Sequence, residues 1–133
     1  MSGYLLDTNA VLLLGFEGNA IPRRLKALID SERRFVSHVC AMEMAIKQSI
    51  GKLRLPPSFQ SSFSHGFQQT VDELSAEILP IELSHIDMLS RLPLNHRDPF
   101  DRILVSQALC EDLIVVSRDR VLRTYPGLSI LEI

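Results

Sequence analysis

Leu113-Ile114-Val115-Val116 sets four apolar side chains in a row, most of them β-branched. A strand with one wet face alternates apolar and polar residues. A continuous run like this one belongs to a strand covered on both faces, as in a parallel sheet between helices. Parallel strands cannot be joined by tight hairpins; they need long crossovers, usually helical. This segment therefore asks the rest of the chain for alternating strands and helices.

The chain supplies them. Tyr4-Leu5-Leu6 reads as a buried strand, with Thr8 and Asn9 placed to cap a helix over Ala10 to Leu14. A helix follows Pro22, carrying Leu25, Leu28 and Ile29 at helical spacing. Arg34-Phe35-Val36 is a second strand. Ser37 then caps a long helix whose apolar stripe is Val39, Met42, Ile46, Ile50 and Leu53. Pro56-Pro57 stops that helix. Ser58 opens another, with Phe59, Phe63 and Phe67 on one face and Gly66 as a weak point.

Glu77 to Ile81 reads as a third strand, and Ser84 as the cap of a short helix reaching Leu92. Asp98-Pro99 is an N-cap followed by an N1 proline, opening a helix through Cys110. Leu128 to Ile133 closes the pattern as a last strand. The whole predicts an α/β fold with a mostly parallel central sheet flanked by helices, and 133 residues suit a single domain over 1–133.

With 46% hydrophobic and 23% charged residues, such a chain can build a core without staples. Cys40 and Cys110 are far apart and show no metal-ligand spacing, so both read as reduced core thiols. The apolar run at the start is interrupted by Asp7, Thr8 and Asn9, and no stretch approaches a membrane span. These features together place the chain in the cytoplasm. A net charge of −2 excludes a wholesale nucleic-acid coat but leaves room for a local basic rim.

In open parallel sheets, ligands bind beyond the carboxyl ends of the strands, where strand order reverses. Asp7 ends the first strand, and Asp119 lies just past the strongest one. Asp98 and Asp101 open the helix leading into that strand, and Glu43 lies in the first turns of the long helix. Each has a structural alternative. Asp7 and Asp98 can cap helices, Asp101 can favour the helix dipole, Glu43 can pair with Lys47, and Asp119 can be a turn residue. Their joint position at one mouth of one sheet is what points to chemistry. Two carboxylates at ~4 Å repel by roughly 4 kcal/mol at an effective dielectric of ~20, and a hard divalent cation with oxygen ligands relieves that cost.

The segments Leu5 to Asn9, Ser37 to Leu53 (SHVCAMEMAIKQSIGKL), His96 to Ala108 (HRDPFDRILVSQA) and Val116 to Asp119 resemble, in order and spacing, the PIN-domain nucleases. The resemblance is closest to the toxins of VapBC-type toxin–antitoxin pairs. It implies a three-layer α/β/α fold and Mg²⁺- or Mn²⁺-dependent cleavage of RNA. It also implies a cognate antitoxin and a homodimer as protein associations. The family's four acids fall on Asp7, Glu43, Asp101 and Asp119, as catalytic and metal-binding residues. Asp98 matches an additional aspartate, as a cap, an outer-shell group or a metal contact. Thr8 and Asn9 match the polar pair that supports the site by hydrogen bonding. Ser117 stands where many relatives carry Thr, which keeps the hydroxyl.

Of the arginines near the acids, Arg102 and Arg118 are the favoured contacts for RNA phosphates. His38, His65, His85 and His96 show no ligand spacing and read as structural or exposed. The phenylalanine stripe reads as core, or as a groove for a partner helix. Two other enzyme classes place acids at strand ends with Mg²⁺, and both fit poorly. A haloacid-type phosphatase wants DxD where this chain has Asp7-Thr8-Asn9. A receiver domain wants a late lysine, and the last one here is Lys52. A non-catalytic PIN-like module would not need all four acids.

Overall fold

A computed structural model of the chain describes residues 2–133. Its centre is a five-stranded, fully parallel sheet in the order β3-β2-β1-β4-β5. The strands are β1 (Tyr4–Leu6), β2 (Arg34–Ser37), β3 (Glu77–Leu79), β4 (Ile114–Ser117) and β5 (Ser129–Glu132). Six α-helices connect them: α1 (Thr8–Phe16), α2 (Arg23–Asp30), α3 (His38–Ser49), α4 (Phe63–Glu73), α5 (Leu83–Arg91) and α6 (Pro99–Glu111).

The two strands with the most continuous apolar character, β1 and β4, are neighbours in register Tyr4↔Ile114 to Leu6↔Val116. From β1 the chain winds outward to β2 and β3, then crosses back to β4 and β5. Right-handed crossovers running in opposite directions put helices on opposite faces of the sheet. That reversal lies between β1 and β4, so a crevice opens past Leu6 and Ser117. Leu5, Leu6, Val36, Val115 and Val116 form the floor of the core, packed against Val11, Val39, Met44, Val71 and Leu104.

Helix starts follow local capping chemistry. Asp7, not Thr8 or Asn9, caps α1, accepting from the Ala10 N–H at 2.8 Å, so the helix begins earlier than expected. Ser37 caps α3 and Asp98 caps α6, the latter accepting from the Phe100 N–H at 2.9 Å. The helix expected from Ser58 is a 3-10 turn at Pro57–Phe59 followed by α4, capped by Ser62. Phe59 lies on α4 rather than within it. A Cβ on Gly66 would stand 2.5 Å from the Phe59 ring, so glycine at this helical position is what admits the ring. Glu82 and His85 form a reciprocal cap for α5, in place of the expected Ser84. Pro80, which has no N–H to give a ladder, follows the last residue of β3, so that strand is shorter than expected.

The stripe expected to bury α3 is corrected most. Its buried face is Val39, Cys40, Glu43 and Met44, whereas Met42, Ile46 and Ile50 are 48%, 45% and 60% exposed. Both faces are apolar, and the sheet takes the one that also carries Glu43. Cys40 is a core thiol as expected; burial pushes its pKa up to about 12. Cys110, however, is exposed. Among the described residues, no helix is long and apolar enough to cross a membrane.

Candidate active site

Past the carboxyl ends of β1 and β4 lies a pocket of about 240 Å³, lined by Asp7, Thr8, Glu43, Lys47, His96, Asp98, Asp101 and Asp119, with Asn9 at its exposed edge. Acids from four separate segments meet there. Asp7 follows β1, Glu43 comes from the second turn of α3, Asp98 and Asp101 from the start of α6, and Asp119 from the turn after β4.

The inner wall is buried and locally hydrogen-bonded. Besides capping α1, Asp7 has the Ser117 hydroxyl near its carboxylate, and that hydroxyl accepts from the Asp119 N–H at 2.9 Å. Ser117 thus ties β4 to the turn that carries Asp119. Thr8 donates to Glu43 Oε1 at 2.6 Å, and Lys47 donates to Glu43 Oε2 at 2.5 Å. Burial raises the Asp7 pKa above the usual aspartate range. The bonds from Ser117 and Ala10 oppose this, and the charges of Glu43 and Asp119 add to it.

The outer wall is more open. Asp101 lies a turn inside α6, and its pKa is pushed up to about 7, first by desolvation and then by Asp98. Nearby His96 pulls it back down, while Asp7 and Glu43 raise it further. Asp119 caps the 3-10 turn Arg120–Thr124 through Oδ1, which accepts from the Val121 N–H at 3.0 Å. Its Oδ2 lies 2.6 Å from His96 Nε2, and Asp101 Oδ2 lies 3.1 Å from the same nitrogen.

Three sequence expectations change here. His96, expected to be structural or exposed, stands between two of the acids. The other histidines keep to expectation: His85 is buried in the α5 cap, while His38 and His65 are exposed. Arg102 is not turned to the pocket mouth. Its guanidinium donates to the carbonyls of Pro93 (2.9 Å) and Leu92 (3.4 Å), holding the loop before α6. Arg118 is exposed and forms no ion pair among the described residues. Lys47, read only as a partner for Glu43, is the one lysine or arginine lining the pocket among the described residues. Its helical offset of four from Glu43 was the available signal.

The sequence matches the family model described as PIN domain over residues 4–128. The chain belongs to the PIN-domain family. The fold recurs in solved structures of toxin–antitoxin complexes that share little sequence with this PIN domain. VapBC2 from Rickettsia felis, bound to a DNA fragment from its promoter, aligns with a TM-score of 0.72 at 15% identity, covering 100% of this chain and 99% of that one. DNA-bound VapBC from Salmonella typhimurium gives 0.69 at 18% identity, covering 99% and 98%. VapBC-5 from Mycobacterium tuberculosis gives 0.57 at 18%, covering 99% and 97%. A comparison with curated proteins finds no match.

The donor set of this PIN domain fits a hard divalent cation. It offers clustered carboxylate oxygens, and burial, with the neighbouring acids adding to it, raises the pKa values of Asp7 and Asp101. Oxygens of Asp101 and Asp119 and the Nε2 of His96 all lie within 4.8 Å of one another.

Proposed function

We propose that this protein is a Mg²⁺- or Mn²⁺-dependent endoribonuclease and the toxin of a VapBC-type toxin–antitoxin pair. The observation that carries the reading is the meeting of Asp7, Glu43, Asp98, Asp101 and Asp119 in one pocket at the strand-order reversal. Asp7, Asp101 and Asp119 would hold the cation, with Glu43 as the fourth acid. The bound cation would supply Lewis acidity at the phosphoryl oxygens and a water-derived nucleophile near neutral pH.

The chain's own residues do the rest. Thr8 orients Glu43 through its hydroxyl donor, and Ser117 fixes the Asp119 turn by accepting from its N–H. Asp98 spends Oδ1 on the first turn of α6 and so presents Asp101 one turn further on. Lys47 at the rim offers positive charge to a phosphate entering an otherwise acidic pocket, and exposed Arg118 adds to it. RNA as the substrate class rests on the family resemblance.

The toxin role is supported by likeness to chains of toxin–antitoxin complexes over nearly their whole length. The proposed partners are a cognate antitoxin and a second copy of the chain. The exposed apolar residues Met42 and Ile46 on α3 and Ile50 just past its end, with Leu83 and Ile86 on α5, give such partners surface to cover. Two free cysteines suit the cytoplasm, the proposed site of action.

The test is cleavage of RNA by purified protein with Mg²⁺ or Mn²⁺, beside chelator and Asp7→Asn controls. Chelator-resistant cleavage, or full activity in Asp7→Asn, sinks the metal-nuclease reading. A neighbouring antitoxin gene and growth arrest on expression are expected of a toxin; absence of both counts against that role.

A further inference from the structure

His96 is held on every side. Its backbone N–H donates to the Tyr125 hydroxyl at 2.9 Å. Its ring Nδ1 accepts from the Asp98 backbone N–H at 3.0 Å. A proton on Nδ1 would collide with that donor, so Nδ1 carries the lone pair and Nε2 carries the ring proton. Nε2 then faces Asp119 Oδ2 at 2.6 Å and Asp101 Oδ2 at 3.1 Å. An Nε2–H aimed at Asp119 explains the shorter distance, and Asp101 Oδ2 lies beside the same nitrogen. The Nε2 proton also rules this nitrogen out as a metal ligand in this ring state, because a ligand nitrogen must offer a lone pair.

We propose that His96 is a positioning residue: locked by the Asp98 backbone into its Nε2–H form, it holds Asp119 beside Asp101 at the spacing a divalent cation needs. This rests on the metal-nuclease reading above. The two carboxylates come from different elements, the start of α6 and the turn after β4. Asp119 Oδ1 is already used by the Val121 N–H, so without a donor at Oδ2 its carboxylate could turn about that one bond. The imidazole removes that freedom, as partners behind metal-binding carboxylates commonly do. The segment His96-Arg97-Asp98-Pro99 encodes the lock in its spacing. The N-cap residue that starts α6 is also the backbone donor that sets the histidine's ring state.

Two measurements on the RNA-free protein test this. Ring-nitrogen NMR should find the His96 proton on Nε2 and a bare Nδ1, both without metal and at saturating Mg²⁺. A proton on Nδ1 with Mg²⁺ bound would make His96 a ligand and overturn the proposal. Mn²⁺ titration calorimetry should show His96→Ala binding about 10- to 100-fold more weakly. His96→Gln, which carries an amide N–H near the Nε2 position, should recover part of that loss. Unchanged affinity in His96→Ala, or equal loss in both variants, would overturn it. If the unaltered protein binds neither Mg²⁺ nor Mn²⁺, the metal-nuclease reading falls instead.

Discussion

The two walls of the acidic pocket are built differently. On the inner wall, Asp7 and Glu43 are buried; Asp7 accepts from the Ala10 N–H, and Glu43 accepts from Thr8 and Lys47. On the outer wall, Asp101 and Asp119 are half-exposed, come from a helix start and a 3-10 turn, and share one imidazole. The inner acids are part of the fold, and hydrogen bonds made on folding offset part of the cost of burying them. Asp101 accepts no hydrogen bond among the described residues, and desolvation, then Asp98, pushes its pKa up to about 7. The inner wall should therefore govern stability, and the outer wall cation affinity.

The largest effect expected is on chemistry, and it should not distinguish the walls. Asp7→Asn and Asp101→Asn should each lower cleavage by ~10³-fold or more, since a cation held less well forfeits several kcal/mol of charge stabilisation. Thermal unfolding with chelator present should then separate them. Asp101→Asn should be as stable as the unaltered protein or more so, because it removes repulsion at an unsatisfied acid. Asp7→Asn should be less stable, because the Asp7 carboxylate caps α1 from a buried position. Marked destabilisation by Asp101→Asn would erase the contrast.

Next comes Thr8→Val, which strips the inner wall of one donor and leaves Glu43 Oε1 buried without it. A loss of about 1–3 kcal/mol is expected in denaturant titrations. No change would mean that Lys47 alone satisfies Glu43.

A pH series sharpens the outer wall. The Asp101 pKa is higher folded than unfolded, so the metal-free folded state binds more protons than the unfolded chain. By linkage its contribution must make metal-free stability fall as pH rises from about 4 to about 7, and Asp101→Asn should flatten that slope. Cation affinity should move the other way. It should rise with pH up to about 7, approaching ~tenfold per pH unit where a single proton is released. A flat affinity between pH 5 and 7 would show that Asp101 is not displaced of its proton on binding.

The smallest stability effect belongs to Lys47→Met. Its ion pair with Glu43 is a half-exposed i,i+4 contact, worth under about 1 kcal/mol. Its KM for RNA should nevertheless rise while kcat changes less, if Lys47 meets a phosphate. An unchanged KM would confine Lys47 to pairing with Glu43.

What the sequence made legible follows from range. Asp7 and Asp119 could be placed because each ends an apolar run, and strand ends define the crevice. Asp98 could be read as a cap because Pro99 follows it. Glu43 was reachable, but the face of α3 that carries it was not. Periodicity finds apolar stripes without saying whether a sheet or another protein covers them, and α3 has both kinds. His96 has no metal-ligand spacing to mark it in the sequence. Its ring partners are an aspartate 23 residues away and a backbone amide that only the folded loop presents. Arg102 looked like a phosphate contact for its closeness to Asp101 in sequence. Its side chain instead turns to loop carbonyls that no pattern of residue types announces.

The neighbouring of β1 and β4 has a consequence for how such a protein is made. Their pairing joins Leu6 to Val116, so Asp7 and Glu43 are synthesised long before the strand that completes their pocket. A product interrupted ahead of β4 lacks Asp119 and the sheet partner that would bury β1. On the proposed reading, premature stop codons ahead of β4 would therefore disarm the protein.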